Sequence, residues 1–355
     1  MNEPFHKRLI TGAAWFSVVM LWLCAASTYV SPRHFRLLGV VGMAFPFLLA
    51  GVLLMFILSL LFAPRRSWIP LAGLAGCFFS VRAYFPLNLP GEPPEGALKV
   101  LSYNVKNFGD GTEDTDGQNV VADYVEMAAP DIFCFQEGAM LKDKFDTTVR
   151  RPLKKILPYF DSINVTTNII GCLSRFPIVG KEEICRHGTN GAVAFKLLPA
   201  PGDTLIVVNC HLESMHLSIE DRKKYHQLVK QPEEGDVEGN SRLLVSKISR
   251  ASVDRSLQAD AVADYLERRR GQSVILCGDF NDTPISYTRR RIASGLTDAF
   301  QATGNGLGRS FNRDAIIVRI DYLMCSDDWR PYKCTVDRAA KASDHYPIYA
   351  WFARK

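Results

Sequence analysis

The sequence predicts an α/β domain carried behind an apolar helical segment, and three observations point there. Residues 1–96 hold seven Lys or Arg and three acidic side chains and are otherwise mostly apolar. Beyond residue 97, short apolar runs of strand length alternate with stretches of helical period, the signature of an α/β fold. Several of those runs stop abruptly at Asn, Asp, Glu or His. Ser273-Val274-Ile275-Leu276-Cys277-Gly278-Asp279-Phe280-Asn281-Asp282 is the clearest: a strand buried on both faces, then a tight turn carrying polar side chains.

In chain order, Leu9–Val30 is an apolar run behind Lys7 and Arg8, and Leu37–Ala63 is a longer one. Both exceed the ~20 residues a bilayer core requires. Trp68–Phe85 is a shorter third, with Arg82 near its end. Three membrane helices over 9–30, 37–63 and 68–85 are therefore expected within an anchor of residues 1–85. A cleaved signal peptide accounts for the first run and leaves the second unexplained. Lys7, Arg8, Arg65 and Arg66 on one side outnumber Arg33 and Arg36 on the other, which favours the N-terminus inside. With three spans, the rest of a multi-pass cell-membrane protein lies on the outer, periplasmic side. With two, it lies in the cytoplasm. Residues 86–97 are Pro-rich and aperiodic, and read as an extended linker.

Residues 98–355 are of single-domain size for an α/β fold. Removing the first 96 residues from 42 basic and 37 acidic side chains leaves 35 and 34, so no global basic field attracts nucleic acid. Cys134, Cys210 and Cys277 sit in apparent strands and read as small buried hydrophobes; Cys172 with Cys185 is the one disulfide pairing to test. Cys/His zinc spacing is absent. Strands are expected at Lys99–Val105, Asp131–Gln136, Ile169–Ser174, Ala192–Leu197, Leu205–Cys210, Ile320–Cys325 and Tyr346–Phe352. Helices are expected at Asn119–Met127 and Ser252–Arg270, with Gly109–Gly117 a solvated loop. Arg289–Arg291 reads as a solvated face.

The strand ends carry the chemistry. Asn104, Glu137, His211, Asp279 and Asn281 lie at or just past strand C-termini, and Asp344-His345 enters the last strand. Five strand ends that all offer such groups are hard to produce by chance. Oxygen donors suit Mg²⁺ or Mn²⁺, and added histidines fit metal-assisted attack of water on phosphorus.

Tyr-Asn-Val (103–105), Gln-Glu (136–137), Gly-Cys-Leu-Ser-Arg-Phe-Pro-Ile (171–178), Asn-Cys-His-Leu (209–212), Gly-Asp-Phe-Asn (278–281), Arg-Ile-Asp-Tyr (319–322) and Ser-Asp-His (343–345) occur in a fixed order. In this the chain resembles the endonuclease/exonuclease/phosphatase superfamily over residues 98–355. The resemblance implies a four-layer α/β sandwich, two mixed sheets face to face with helices outside. It also implies Glu137 as principal metal ligand, Asn104 beside it, and Asp344 completing the metal environment. By the same resemblance Asp279 orients or deprotonates the attacking water, with Asn281 holding that water or a phosphoryl oxygen. His345 serves the phosphoryl oxygens, with Asp321 behind it, and His211 stabilises charge on phosphorus. DNase-like members pair this last histidine with a carboxylate on a neighbouring strand; Ala192–Leu197 offers none. Asn190, just before that strand, is a candidate to line the site or a plain turn residue.

The expected activity is hydrolysis of phosphodiester bonds, with a slight preference for a nuclease. A lipid phosphodiesterase, a phosphatase of small phosphorylated metabolites and a catalytically dead binding protein remain as alternatives. Substrates are thus nucleic acid, a lipid head group or a small metabolite, and no protein partner is implied. Arg222–Lys230 and Ser241–Arg255 (Arg242, Lys247, Arg250, Arg255) are the two stretches able to form a local basic rim; a solvated helix face is the plainer reading of both.

Overall fold

The computed structural model describes residues 4–115, 117–215, 220, 237–313 and 318–355. Its first part is a small helical bundle. Helix α1 (Phe5–Ala26) leads through a turn at 27–29 and a loop to a short helix α2 (Leu38–Val41), and α3 (Phe45–Phe62) returns antiparallel. The continuous helical stretches Phe5–Tyr29 and Leu38–Phe62 are long and apolar enough to cross a membrane. At 1.5 Å per residue each covers about 37 Å, more than the ~30 Å hydrocarbon core. The expected helix over 68–85 instead forms two consecutive helices, α4 (Trp68–Gly76) and α5 (Phe78–Tyr84), interrupted at Cys77. They run beside α1 in the same direction. Trp68 packs edge-on against Trp15 at 5.8 Å, Gly73 and Gly76 lie against Val18 and Trp22, and Trp22 Nε1 donates to Gly73 O at 3.1 Å.

The linker is not a free tether. Arg82 donates to Asn88 Oδ1 at 2.7 Å, and Asn88 Nδ2 donates to the carbonyls of Gln301 and Gly304. Gly306 N donates to Pro86 O, and Lys333 pairs with Glu92. A Pro-rich composition predicts extension, and these tertiary bonds fix where the extended chain lies.

Two six-stranded sheets follow. One has the order β11-β12-β1-β2-β4-β3, from β1 (Leu98–Asn104), β2 (Ile132–Gln136), β3 (Tyr159–Val165), β4 (Asn168–Ser174), β11 (Trp329–Val336) and β12 (Ile348–Arg354). The other has the order β5-β6-β7-β8-β10-β9, from β5 (Ile178–His187), β6 (Asn190–Ala200), β7 (Asp203–His211), β8 (Val274–Asp279), β9 (Thr297–Asp298) and β10 (Asp321–Cys325). Both sheets are mixed. Their parallel pairs are β1–β2 and β7–β8, and each carries a near-continuous apolar run because both its faces are covered. Val100, Cys134, Phe195, Val207, Ile275 and Leu323 are among the side chains filling the space between the sheets. Outside, α6 (Val120–Ala128) covers the first sheet, and α7 (Val237–Glu267) with α8 (Tyr287–Ile292) covers the second. A short helix α9 (Ala299–Thr303) packs on β11. This is the expected four-layer sandwich.

Three expectations change. Cys172 lies opposite Cys134 in the β2–β4 ladder while Cys185 belongs to the other sheet, so no disulfide forms; all nine cysteines are free thiols. Arg289–Arg291 is a solvated face only in part: Arg289 turns inward to Asp298, Arg291 bonds Asp260 and Asp264 at the surface, and the exposed Arg290 stacks on Tyr29 of the bundle. Arg255 is wholly buried and belongs to no basic rim. Arg222–Lys230 lies outside the described residues.

Candidate active site

Parallel and antiparallel register put three site residues in one row of the second sheet. His211 on β7 and Asp321 on β10 both pair with Asp279 on β8. Their backbones are locked by the ladder, so their side chains issue from fixed points. In the first sheet Asn104 pairs with Gln136, the residue before Glu137. Asn104 joins the two sheets: its Nδ2 donates to Glu137 Oε1 at 2.9 Å and to Asp279 Oδ2 at 3.1 Å.

The turns beyond these strands are tightly specified. Gly278 has φ +130° and lies so close to Cys210 that any Cβ would overlap its carbonyl. Glu137 and Asn281 adopt φ +55° and +51°, the left-handed region that costs a non-glycine residue roughly 1–2 kcal/mol. Local bonds hold them there. Asn107 N donates to Glu137 O at 2.6 Å; Asn281 N donates to Asp279 Oδ1 at 2.8 Å, and its Nδ2 donates to Leu212 O at 2.9 Å. Directly after Asn104, residues 106–111 are all left-handed, with φ from 42° to 74°. Such strain clusters at working sites because the surrounding fold over-determines it.

His345 is buried against Phe311, its Nδ1 3.0 Å from Asp321 Oδ2 and its Nε2 3.6 Å from Asp279 Oδ2. Burial alone pushes its pKa down, but the charges of Asp321 and Asp279 prevail and raise it to about 10. Burial raises Asp279 to about 6, offset in part by His345. Burial also works to raise Glu137, yet the hydrogen bond and charge of His211, with Asn104, bring it down to about 2. The carboxylates in one cleft are thus pushed apart in acidity, which lets one hold cations while another handles protons.

His211 has no carboxylate on β6, as the sequence indicates. Amides surround it instead. Asn168 Oδ1 accepts from Ile169 N, so its Nδ2 faces His211 Nδ1 at 3.3 Å as a donor. Its Nε2 lies 3.4 Å from Glu137 Oε1, within reach of that carboxylate when Nε2 carries a proton. Asn190 also belongs to the site, its Nδ2 3.3 Å from His211 Nε2 and 3.0 Å from Leu212 O. Asn168 carries no sequence signal beyond being an Asn that opens a strand.

Asp344 lies beside the group rather than inside its hydrogen bonds. Its carboxylate is 3.7 Å from Arg313, and the neighbouring Ser343 Oγ donates to Asn104 O at 2.8 Å. Among the described residues, one oxygen from each of Asp279 and Asp321 and one ring nitrogen of His345 lie within 4.8 Å of one another, a grouping able to hold a metal. Asp321 and His345 already spend their facing atoms on each other, however. Glu137 is the better cation ligand: Oε1 takes the bonds from Asn104 and His211, and its side chain keeps 36% of its surface open. The hard oxygen set fits a divalent ion.

Residues 101–345 match the family model described as Endonuclease/Exonuclease/phosphatase family, and residues 7–84 match one described only as a domain of unknown function. No curated protein matches the chain. Among solved structures, the human Nocturnin catalytic domain with bound sulfate is 16% identical, with a TM-score of 0.51 over 76% of this chain and 97% of that one. ANGEL2, a 2′,3′-cyclic phosphatase, is 13% identical, with a TM-score of 0.50 over 75% and 99%. A family protein from Bacteroides thetaiotaomicron is 18% identical, with a TM-score of 0.48 over 75% and 100%. At these identities the structural likeness speaks to fold alone. The family model spans more than two thirds of the chain and every strand end described above, so the chain belongs to the endonuclease/exonuclease/phosphatase family of divalent-metal-dependent hydrolases acting on phosphate esters.

Proposed function

We propose that the protein hydrolyses phosphodiesters with Mg²⁺ or Mn²⁺ at the Asn104–Glu137–Asp279 junction. The observation that carries this reading is the Asn104 amide bonded to both carboxylates, which brings an acid of the first sheet beside the His211–Asp279–Asp321 row of the second. Glu137 and Asn104, with Asp344 at the edge, would hold the metal, whose charge would stabilise the phosphoryl oxygens as negative charge builds on them. Asp279 takes the proton of the attacking water, and Asn281 fixes that water or a non-bridging oxygen. His345, oriented by Asp321, donates to the phosphoryl oxygens or the leaving group. His211 presents Nε2–H from the opposite flank.

A nuclease was the first expectation from sequence, and part of its support falls away. The basic rim invoked for it loses Arg255 to the interior. A membrane-bound phosphodiesterase keeps the support of two apolar helices long enough to cross a membrane, while the break of the third run at Cys77 takes support from the outer face.

The test uses the purified full-length chain and bis-p-nitrophenyl phosphate. EDTA should abolish turnover, and Mg²⁺ or Mn²⁺ should restore it. Glu137→Ala should leave no metal-restored activity. Better restoration by Zn²⁺ would contradict an oxygen-donor site.

A further inference from the structure

The catalytic edge of the sandwich is also the edge that rests on the helical bundle. The loop leaving β8 carries Asn281 in the site, and four residues later Ile285 is buried in the bundle's own apolar cluster with Phe45, Ala83 and Tyr84. Four residues reach at most about 14 Å. Arg319, two residues before Asp321, is wholly buried and donates to Ala83 O at the end of α5 (2.8 Å). Two of the three site-bearing strands of the second sheet, β8 and β10, therefore have their site-end loops anchored in the helices.

A buried cation completes the joint. Arg255 of α7 donates to Glu213 O at 2.6 Å, in the loop following His211, and to Asp282 Oδ2 at 3.2 Å, beside Asn281. Its third bond goes to Ser252 Oγ, which donates to Ile248 O at 2.9 Å and lies 3.4 Å from Gly39 O of α2. The contact is close because α2 offers no side chain there. A Cβ on Gly39 would overlap Ser252, and one on Gly42 would overlap the Ile285 carbonyl. Around the joint, Phe35, Leu37, Leu87 and Leu89 are exposed, Leu89 to 93%. Exposed apolar groups level with the ends of membrane helices suit the interfacial layer.

A free linker would let the domain roam, and its orientation would carry no information. Here the linker and the joint fix it. The interfacial layer of a bilayer is roughly 5–8 Å deep per leaflet. A catalytic edge within about 14 Å of the bundle thus lies over lipid head groups. A nucleic acid would have to enter between the domain and the membrane, whereas head-group phosphates are already there.

We propose that the substrate is a phosphoester head group of a lipid in the leaflet on which the domain rests, and that the Gly39–Gly42 contact holds the catalytic edge to it. The proposal rests on the phosphodiesterase reading above. Water adds across one P–O ester bond: its hydroxyl stays on phosphorus, and its proton ends on the oxygen of the departing alcohol. No oxidant or further reactant enters.

A matched substrate pair tests location apart from chemistry. Ethyl and hexadecyl 4-nitrophenyl phosphate share the reacting group, and only the second partitions into vesicles. The full-length chain in phosphatidylethanolamine–phosphatidylglycerol vesicles with Mg²⁺ should show a kcat/KM at least about 100-fold higher for the hexadecyl ester, from pre-concentration and orientation. Gly42→Leu should lower the hexadecyl rate by about tenfold or more and leave the ethyl rate within about twofold. Diluting the hexadecyl ester with inert lipid at constant bulk concentration should slow the parent protein, a readout that does not depend on the variant folding. Equal rates on both esters, indifference to surface dilution, or faster cleavage of DNA or RNA oligonucleotides would overturn the lipid assignment. Failure to cleave either ester or either oligonucleotide with Mg²⁺ or Mn²⁺ would instead overturn the phosphodiesterase reading itself.

Discussion

At the scale of single residues, the site divides into groups that change charge and groups that hold others in place. In the proposed mechanism Asp279 and His345 act where charge moves, so Asp279→Asn and His345→Ala should each lower kcat at least about a hundredfold with KM little changed. Asp321→Asn should cost less, because it removes the partner of Nδ1 and leaves Nε2 in place. Equal activity of Asp279→Asn and the parent at saturating Mg²⁺ would refute the assignment. The His345–Asp321 pair also predicts a stability profile. His345 is raised from 6.5 to about 10 in the folded protein, so its stabilisation is complete below pH 6.5 and lost as pH climbs through 10. In EDTA, the Tm of the parent should fall more steeply between pH 7 and 10 than that of His345→Gln. A parallel pair of curves would show that the imidazolium contributes nothing to the fold. The sequence was informative here: Asn104, Glu137, His211, Asp279, Asn281, Asp321 and His345 do gather at one edge, because a strand end is both a sequence landmark and a fixed point in space. Asn168 escaped notice because its role depends on how β4 of one sheet packs across β7 of the other, which no local pattern encodes. Arg255 was misread because a cation on an amphipathic helix looks the same whether it faces water or a buried carboxylate.

At the scale of elements, the buried strands were legible and the edge strands were not. β1, β2, β7 and β8 are continuous apolar runs, and their observed limits fall within a residue or two of the expected ones. β3 and β5 sit at sheet edges with half-exposed, charge-bearing sequences such as Lys181-Glu182-Glu183, and give no strand-length apolar run. Helix α7 starts at Val237 instead of the expected Ser252, because its first half packs partly on the bundle rather than on the sheet. Helix termini yield a prediction of their own. Ala129 caps α6 at φ +44°, exposed, with its amide bonded to the carbonyls of Val125 and Glu126. A left-handed Ala is strained where Gly is not. Ala129→Gly should therefore stabilise by about 1 kcal/mol, or about 2–4 °C in Tm for a domain of this size, without altering activity. A lower Tm would mean that the gain in unfolded-state entropy outweighs relief of the strain.

At the scale of the whole molecule, the question is which side of a membrane the catalytic domain occupies, and the course of the third apolar run decides it. By length alone Trp68–Phe85 falls short: about 18 residues at 1.5 Å give about 27 Å against a core of ~30 Å. Its path favours crossing nonetheless. Trp68 starts level with Trp15, and Tyr84 ends against Phe45, at the opposite end of α1 from Lys7 and Arg8. Arg82 lies in the last turn of α5, where its guanidinium reaches Leu87 O and Asn88, so it does not place a charge at mid-membrane. The domain then rests on the connection between α1 and α3, with Arg65 and Arg66 at the far end of the bundle. Four cations on the N-terminal side favour that side as cytoplasmic. Alkaline phosphatase fused after Gly96 should accordingly be active, and a fluorescent protein that matures only in the cytoplasm should be dark at the same position. The fusion interrupts the chain before β1, so it reads the passage of the three apolar runs independently of the docked domain. A bright fluorescent fusion with inactive phosphatase would instead orient the bundle with its N-terminus outside and move the domain to the cytoplasmic leaflet. The Asn104–Glu137–Asp279 junction would be untouched by that result, since it is built wholly within the sandwich.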